Sequence, residues 1–157
     1  MGKEIEKKYL LSGLPSGISD GGVEIFQGYL STGDPEVRVR SKGGQYFVTR
    51  KGGEGLIRSE DEKEVSKAVF DILWPATVNA RVEKRRFKIV GADGLTWEID
   101  EYYGDLWGLY TAEVELPSSD TDAEMPEVIA NVLICDVTED KAYKNKALAV
   151  SGLPARK

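Results

Sequence analysis

Residues 4–10 read EIEKKYL, and this stretch alternates in character along its length. Glu4, Glu6 and Lys8 occupy every second position, and the side chains at the positions between them are partly apolar. Side chains of a β-strand point to opposite faces of the sheet with a period of two. The stretch therefore predicts a strand with one charged face. That face lies either in water, as in most half-buried strands, or around a charged interior.

The composition is that of one globular domain. The chain has 157 residues, 41% hydrophobic and 31% charged, so we expect a single domain spanning 1–157. Its 27 acidic and 21 basic residues give a formal net charge of −6, which disfavours nucleic acid and anionic membranes as partners. The N-terminus is charged and no apolar run approaches about 20 residues, so we expect no signal peptide, no membrane span and a cytoplasmic location.

The residue types present restrict the chemistry of any site. The chain has no histidine, and Cys135 is its only cysteine. Histidine bases, Ser-His and Cys-His nucleophiles, zinc sites built from Cys and His, and an intramolecular disulfide are therefore excluded. Acid–base or metal chemistry must use Asp, Glu, Lys, Tyr or backbone groups.

Turns rich in Gly and Pro separate many short segments with strand-like alternation. Strands are predicted over 3–11, 23–30, 36–42, 45–51, 56–62, 79–90, 95–102 and 109–116. Helices are predicted over 62–72, between Ser118 and Pro126, and from about Lys141 to Val150. Meandering strands with few helices favour a mainly β (α+β) fold, an antiparallel sheet or barrel with flanking helices.

The charge alternation of residues 4–10 recurs along five further strands. Charged side chains two positions apart, mostly of one sign, are Arg38 and Arg40; Arg58, Glu60 and Glu62; Lys84 and Arg86; Glu98 and Asp100; and Glu113 and Glu115. Like charges at this spacing repel each other, so stability alone does not explain them. In a sheet closed into a barrel these groups face one lumen. Crowded carboxylates favour a hard divalent cation, and crowded Arg and Lys favour phosphate, so together they suit a metal-bound polyphosphate.

The ordered set of motifs resembles the CYTH superfamily, the triphosphate tunnel metalloenzymes. The motifs are Glu4-x-Glu6-x-Lys8, Arg38-x-Arg40, Lys51, Arg58-x-Glu60-x-Glu62, Lys84-x-Arg86, Glu98-x-Asp100 and Glu113-x-Glu115. The segments LWPATVNARVEKRR (73–86) and VTEDKAYKNKALA (137–149) are similar to the short single-domain bacterial members, and the resemblance covers about 3–151. It implies an eight-stranded antiparallel β-barrel forming a tunnel, which binds a small-molecule triphosphate together with Mg²⁺ or Mn²⁺.

The resemblance also implies roles for individual residues. Substrate binding is implied for Lys8, Tyr29, Arg38, Arg40, Lys51, Arg58, Lys84, Arg86 and Lys144. Metal binding is implied for Glu4, Glu6, Glu60, Glu62, Asp100, Glu113 and Glu115, with Glu98 a weaker candidate. For catalysis we expect Glu4 and Glu6 to act with Lys84, which becomes a possible general base because the neighbouring Arg86 favours its neutral form.

The favoured function is hydrolysis of inorganic tripolyphosphate to pyrophosphate and phosphate. The alternatives are an adenylyl cyclase of class IV type, a thiamine triphosphatase, and a polyphosphate or nucleotide sensor without turnover. A nucleoside substrate would need an aromatic platform, for which Tyr102, Tyr103 and Trp107 are the candidates. An exposed apolar face containing Leu73 or Trp74 could support a homodimer.

Overall fold

The computed structural model describes residues 5–18, 21–53 and 59–155 of the chain. Its described strands are β1 Ile5–Leu11, β2 Val23–Ser31, β3 Glu36–Lys42, β4 Gln45–Gly52, β5 Ser59–Val65, β6 Arg81–Val90, β7 Thr96–Tyr102, β8 Tyr110–Leu116 and β9 Leu133–Asp136. The helices are α1 Lys67–Leu73, α2 Glu127–Ala130 and α3 Asn145–Ser151, with 3₁₀ turns at Trp74–Thr77, Gly104–Leu106 and Lys141–Tyr143. Across the described ranges, no helix is both long and apolar enough to cross a membrane.

These strands form one antiparallel sheet in the order β5-β4-β3-β2-β6-β7-β8-β1-β9. The predicted mainly β fold with few helices is confirmed. The sheet has one strand more than the predicted eight, because β9 pairs with β1 through Tyr9 and Leu10. Within the described residues β5 and β9 are the two edges and do not pair with each other, so the hydrogen-bonded ladder is open.

The two faces of the sheet bury different side chains, as the alternation predicts. One face carries an apolar cluster that includes the α2 residue Ile129; its members are Leu11, Phe87, Trp97, Ile99, Ala112, Val114, Leu116 and Ile129. The other face carries the charged residues at one end and a second apolar cluster at the other. That cluster comprises Leu10, Tyr29, Val82, Tyr102, Leu106, Leu109, Val137, Tyr143, Leu148 and Ala149. Helix α3 supplies Leu148 and Ala149, so it packs against the apolar end of the charged face.

Helix α1 covers the outer face of β2 to β4 with aromatic side chains. The ring of Phe70 stacks on that of Trp74 at 5.2 Å between centroids and contacts Tyr46 at 5.1 Å. The prediction of a helix over 62–72 placed its start wrongly. Residues up to Val65 continue β5 because they pair in register with β4, and Ser66 then caps α1 by accepting a hydrogen bond from the Val69 amide at 3.2 Å.

Two further helix predictions need correction. No helix forms between Ser118 and Pro126 in the described chain; α2 begins after Pro126. The helix predicted from Lys141 is broken at Lys144, whose backbone is extended with φ −73° and ψ 146°. The cap at its start is confirmed, since Asp140 accepts a hydrogen bond from the Ala142 amide at 3.0 Å. After the break, α3 packs against β6 and β2.

Candidate functional site

The charged face of the sheet borders a cavity of about 450 Å³. Its walls come from β1, β2, β3, β4, β6, β7 and β8, and from the segment that follows β9. The lining residues are Glu6, Lys8, Gln27, Arg38, Arg40, Lys51, Arg86, Glu98, Glu113, Val137, Thr138, Asp140, Tyr143, Lys144 and Asn145. The cations and most of the carboxylates in this set were predicted from the alternation, so residues distant in sequence meet here as expected.

Arg38 and Arg40 of β3 line this cavity, and each has an unused hydrogen-bond donor. The Nε atom of each is buried and has no hydrogen-bond partner among the described residues. Burial lowers the pKa of Arg40, and the neighbouring cations Arg86 and Arg38 lower it further. A buried N–H without a partner is costly, and so is crowded positive charge. An anion with several acceptor oxygens, such as a phosphate chain, would relieve both.

Lys8 links β1 to the segment after β9. Its side chain is buried, forms an ion pair with Glu113 at 3.3 Å and donates a hydrogen bond to the Tyr143 carbonyl. The Lys8 amide also donates to the Thr138 hydroxyl oxygen at 2.9 Å. These contacts hold residues 137–145 over one side of the cavity. Lys51, predicted as a phosphate ligand, also lines the cavity, with its ammonium 3.9 Å from Glu60.

Arg86 is fixed by Asp100, and Asp100 in turn by Lys84. Arg86 donates from Nε to Oδ1 of Asp100 at 2.8 Å and from Nη2 to Oδ2 at 2.9 Å, while Lys84 donates to Oδ2 at 2.9 Å. Burial would raise the pKa of Asp100, but Lys84 and Arg86 outweigh burial and hold that pKa well below its usual range. Burial lowers the pKa of Lys84, and Asp100 opposes that shift. Arg86 also lies 3.3 Å from Glu98, which borders the same cavity.

This network bears on the roles predicted for Asp100 and Lys84. Asp100 is fully buried, and both its oxygens already accept hydrogen bonds from cations. Lys84 is 2% exposed and is absent from the cavity wall described above. The metal-ligand role of Asp100 and the substrate and general-base roles of Lys84 stay predictions. The geometry favours a positioning role for both, because together they orient the guanidinium of Arg86.

The carboxylates gather beside the cations. A neighbouring cavity of about 310 Å³ is lined by Glu6, Lys88, Thr96, Glu98, Glu113 and Glu115, and it shares three of these glutamates with the first cavity. Partial burial and the adjacent Glu113 carboxylate raise the pKa of Glu6 to about 7. Mutual repulsion of this kind is relieved when a cation binds.

The donor set fits a hard divalent cation in its chemistry, because it consists of carboxylate oxygens, a hydroxyl and no nitrogen or sulfur ligand. In residues 5–18, 21–53 and 59–155, no three acidic side chains already stand close enough to form a metal-binding group. Glu4, predicted as a ligand, lies outside the described residues, as does the predicted phosphate ligand Arg58. Glu6, Glu113 and Glu115 are therefore the described candidates for holding a metal.

Three further predicted residues lie away from the cavity walls. Glu60 and Glu62 are exposed on the edge strand β5, where Glu62 accepts a hydrogen bond from the Thr49 hydroxyl at 2.9 Å. Tyr29 is 4% exposed and packs in the apolar cluster, and its hydroxyl accepts a hydrogen bond from the side-chain Nε2 of Gln27 at 2.9 Å. None of the three lines the cavity, although Glu60 lies 3.9 Å from Lys51 and Tyr29 interacts with Arg38, so their ligand roles stay predictions.

Sequence reasoning missed several polar residues in the cavity wall. These are Gln27, Thr138, Asp140 and Asn145, of which Asn145 has a buried side-chain oxygen without a hydrogen-bond partner among the described residues. Gln27 is neutral and therefore did not stand out on a charged strand. The other three follow β9. The sequence pointed to the segment that contains them, residues 137–149, only through its resemblance to members of the family.

The aromatic platform proposed for a nucleoside does not form beside the cavity. Tyr102 is 1% exposed within the apolar cluster, and the Tyr103 hydroxyl donates to Glu101 at 2.9 Å. Trp107 is 76% exposed but borders a separate apolar groove with Leu153. The homodimer predicted through Leu73 or Trp74 stays a prediction.

Comparisons with known proteins identify close relatives over nearly the whole chain. No family model matches the chain. An inorganic triphosphatase of Nitrosomonas europaea is 42% identical over 151 residues, which cover 94% of this chain and 97% of the relative. An inorganic triphosphatase of Acetivibrio thermocellus is 36% identical over 154 residues, 94% of each chain. The crystal structure of an inorganic triphosphatase superimposes with a TM-score of 0.78 at 39% identity, covering 96% of this chain and 97% of that chain.

Proposed function

This chain belongs to the inorganic triphosphatase family, and we propose that it hydrolyses inorganic tripolyphosphate to pyrophosphate and orthophosphate with a divalent cation. Its membership agrees with the resemblance to the CYTH superfamily that the motifs carry. The observation that best supports the proposal is that Arg38 and Arg40 both line the 450 Å³ cavity and that each has a guanidinium Nε without a hydrogen-bond partner among the described residues. Such donors suit a ligand that is rich in acceptor oxygens and multiply charged.

In the proposed reaction the cations of the cavity hold the phosphate chain. Arg38, Arg40 and Arg86 supply forked donors, and Lys8 and Lys51 supply point charges from two other strands. Because these groups are anchored on β-strands, their placement needs little rearrangement when charge develops on the transferred phosphoryl group. Positioning and charge neutralisation provide most of the catalysis in phosphoryl transfer.

The acidic side of the site is the proposed location of the divalent cation and of the attacking water. Glu6, Glu113 and Glu115 would hold the cation, together with Glu4, and Mg²⁺ or Mn²⁺ suits carboxylate oxygens best. When bound, the cation supplies neutralisation of phosphate charge and activation of water. Glu6, Glu98 and Glu113 border both cavities, and in this proposal they would accept hydrogen bonds from the attacking water.

The bond changes are those of a hydrolysis. A water oxygen forms a bond to a terminal phosphorus, the bond between that phosphorus and the bridging oxygen breaks, and the water proton passes to a carboxylate or to solvent. Arg86, held by Asp100, would face the charge that develops on the leaving oxygen or on the phosphoryl group. The absence of histidine from the sequence leaves carboxylates or a lysine as the proton acceptor.

Phosphate release by the purified protein tests the proposal directly. Tripolyphosphate, thiamine triphosphate and ATP are compared with Mg²⁺ and with Mn²⁺, and the products are identified. We expect pyrophosphate and orthophosphate from tripolyphosphate, with much slower turnover of the organic triphosphates because Tyr102, Tyr103 and Trp107, the candidates for a nucleoside platform, do not line the cavity. Cyclic AMP from ATP would replace the proposal with a cyclase. Metal-dependent binding without any product would replace it with a sensor.

A matched pair of variants links the activity to the cavity. Arg40→Gln removes a guanidinium that lines the cavity, whereas Arg50→Gln removes one from the same sheet that is 56% exposed and paired with Asp61. We expect Arg40→Gln to lower kcat/KM by about 10²-fold or more and Arg50→Gln to stay within about twofold of the parent protein. Equal activity of the two variants would mean that the hydrolysis occurs elsewhere.

A further inference from the structure

Asn145 lies in the wall of the 450 Å³ cavity and has no role in the reaction proposed above. It is the first residue of α3, within the segment that covers one side of the cavity. Its side-chain oxygen Oδ1 is buried and has no hydrogen-bond partner among the residues that the structure describes. A buried acceptor without a donor costs free energy. The side chain is therefore suited to a donor that enters the cavity together with the substrate.

Contacts on either side of Asn145 in the chain fix its position at the cavity. Two residues earlier, the Tyr143 carbonyl accepts a hydrogen bond from the Lys8 ammonium. One residue later, the Lys146 ammonium lies 3.5 Å from Glu36 at the start of β3. Asn145 is thus held between a contact to β1 and a contact to β3. A group that orients a reactant has to be anchored in this way, because small displacements cost much of its effect.

The carboxylates of the cavity wall differ from Asn145 in two respects. Each of them already has a hydrogen-bond or ion-pair partner in the protein; these carboxylates belong to Glu6, Glu98, Glu113 and Asp140. Each also bears negative charge when it is ionised, and an ionised phosphate chain in the same cavity repels that charge. The amide of Asn145 is neutral, so its oxygen can approach a phosphoryl group without this repulsion.

The side-chain oxygen of Asn145 requires a hydrogen-bond donor, and this requirement distinguishes between the two reactants. The oxygens of a fully ionised tripolyphosphate only accept hydrogen bonds, so they cannot satisfy Oδ1. Water carries two protons and is the nucleophile of the proposed hydrolysis. In GTPases a side-chain amide, that of a glutamine, orients the attacking water. The same chemistry is available to the amide of Asn145.

We infer that Asn145 is a catalytic residue whose side-chain oxygen accepts a hydrogen bond from the attacking water and directs the water oxygen toward the terminal phosphorus. The inference rests on the proposed function, to which it adds a neutral group from the segment that covers the cavity. The water oxygen bonds to phosphorus while the bond from phosphorus to the bridging oxygen breaks. An amide oxygen is too weakly basic to take the proton, which passes to a carboxylate or to solvent. Asn145 therefore affects the rate of attack and leaves its pH dependence unchanged.

Kinetics with tripolyphosphate and Mg²⁺, combined with titration calorimetry of tripolyphosphate in EDTA, tests this role. Asn145→Ala removes the acceptor, so we expect kcat to fall by about 10–10²-fold while KM and the calorimetric affinity stay within about twofold of the parent protein. The pH midpoints of kcat should not move. Asn145→Asp keeps an acceptor oxygen at the same reach. It should recover most of the lost kcat, with a higher KM because its added charge repels the substrate.

Asn131→Ala is the matched control. Asn131 is an exposed asparagine at the end of α2 and does not belong to the cavity wall. The same chemical change at this position should leave kcat, KM and the affinity for tripolyphosphate unchanged.

The other outcomes separate the role of Asn145 from the hydrolase activity itself. If Asn145→Ala weakens binding and leaves kcat intact, the amide is a substrate ligand, and if it changes neither quantity, the amide has no part in the reaction. Equal loss of kcat in Asn145→Ala and Asn145→Asp would show that the acceptor oxygen is not what matters. Each of these results overturns the water-orienting role while the hydrolase proposal stands. If the parent protein releases no phosphate, the hydrolase proposal fails, and the role of Asn145 fails with it.

Discussion

The Lys84 ammonium donates to Oδ2 of Asp100 at 2.9 Å, and the two side chains are 2% and 0% exposed. Arg86 also donates hydrogen bonds to both oxygens of the same carboxylate. Two buried cations thus share one buried anion next to the cavity. The carboxylate of Asp100 is what makes the burial of both cations tolerable, and this relationship leads to the first two predictions.

Asp100→Asn should strongly destabilise the fold. The substitution leaves Lys84 and Arg86 buried without their anion, and breaking a buried ion pair on one side typically lowers the free energy of unfolding by about 3–5 kcal/mol. Urea unfolding at neutral pH measures the change. Asp61→Asn is the control, because Asp61 is 68% exposed in its pair with Arg50. This substitution should change the free energy of unfolding by at most about 1 kcal/mol. Equal effects of the two variants would contradict the structural role given to Asp100.

Lys84→Gln separates a positioning role from a general-base role. If Lys84 acts by holding Asp100 and Arg86, the variant should lose about 10²-fold in kcat through misplacement of Arg86, with the pH midpoints of kcat unchanged. If Lys84 is the general base, the limb of the pH profile that reports its deprotonation should disappear. The measurement is the pH dependence of kcat for tripolyphosphate, made on variant protein that circular dichroism shows to be folded. Full activity of Lys84→Gln would exclude both roles.

The strands were predictable because alternation is a local property of the sequence. In β3 and β6 the charged residues occupy every second position and turn signals bound the segment, so strand and face were both readable. Strand β9 was not predicted, because Leu133–Asp136 is only four residues long and its side chains do not alternate in character. Its conformation depends on pairing with β1, more than 120 residues earlier in the chain, at positions such as Leu10 and Cys135. The start of α1 was wrong for a similar reason, since pairing with β4 overrides helical spacing.

The composition of the site was predictable, whereas its pairings were not. The alternation placed Arg38, Arg40 and Arg86 on inward faces, and all three line the cavity. The alternation could not show that both oxygens of Asp100 would accept hydrogen bonds from Lys84 and Arg86. That pairing depends on the strand register, in which Arg86 faces Asp100. Nor could it show Asn145 in the cavity wall, since the position of that residue depends on how the segment after β9 packs across β1.

Arg40→Gln should stabilise the ligand-free protein while it impairs activity. Arg40 is partly buried beside Arg38 and Arg86, its Nε lacks a partner in the described chain, and burial lowers its pKa. Removing one of these crowded charges should raise the free energy of unfolding by about 1 kcal/mol, as expected where function and stability conflict. Thermal unfolding in EDTA, with and without tripolyphosphate, provides the measurement. The ligand-free variant should melt higher than the parent, and saturating tripolyphosphate should stabilise the parent more.

Loss of stability in the Arg40→Gln variant without ligand would contradict that explanation. It would mean that the guanidinium makes favourable packing contacts that outweigh its repulsion from the other arginines. Arg50→Gln again serves as the control, since its exposed ion pair with Asp61 should contribute little in either condition.

The carboxylates predict how the metal-free protein responds to pH. The pKa of Glu6 is raised to about 7 by partial burial and by Glu113, whereas an unfolded glutamate titrates near about 4.3. Between these two values the folded protein binds more protons at Glu6 than the unfolded protein does. The free energy of unfolding contributed by Glu6 therefore falls as pH rises from about 4.3 to about 7 and then levels off.

Glu6→Gln should remove this dependence. Urea unfolding in EDTA at several pH values between 4.5 and 8 should show a shallower decline for the variant than for the parent, and the variant should be the more stable of the two above pH 7. Because Glu6 keeps contact with solvent, the difference should be modest. Glu139→Gln, at an exposed position in the turn after β9, should leave the parent profile unchanged. Parallel profiles for the parent protein and Glu6→Gln would show that Glu6 and Glu113 do not repel each other in the folded state.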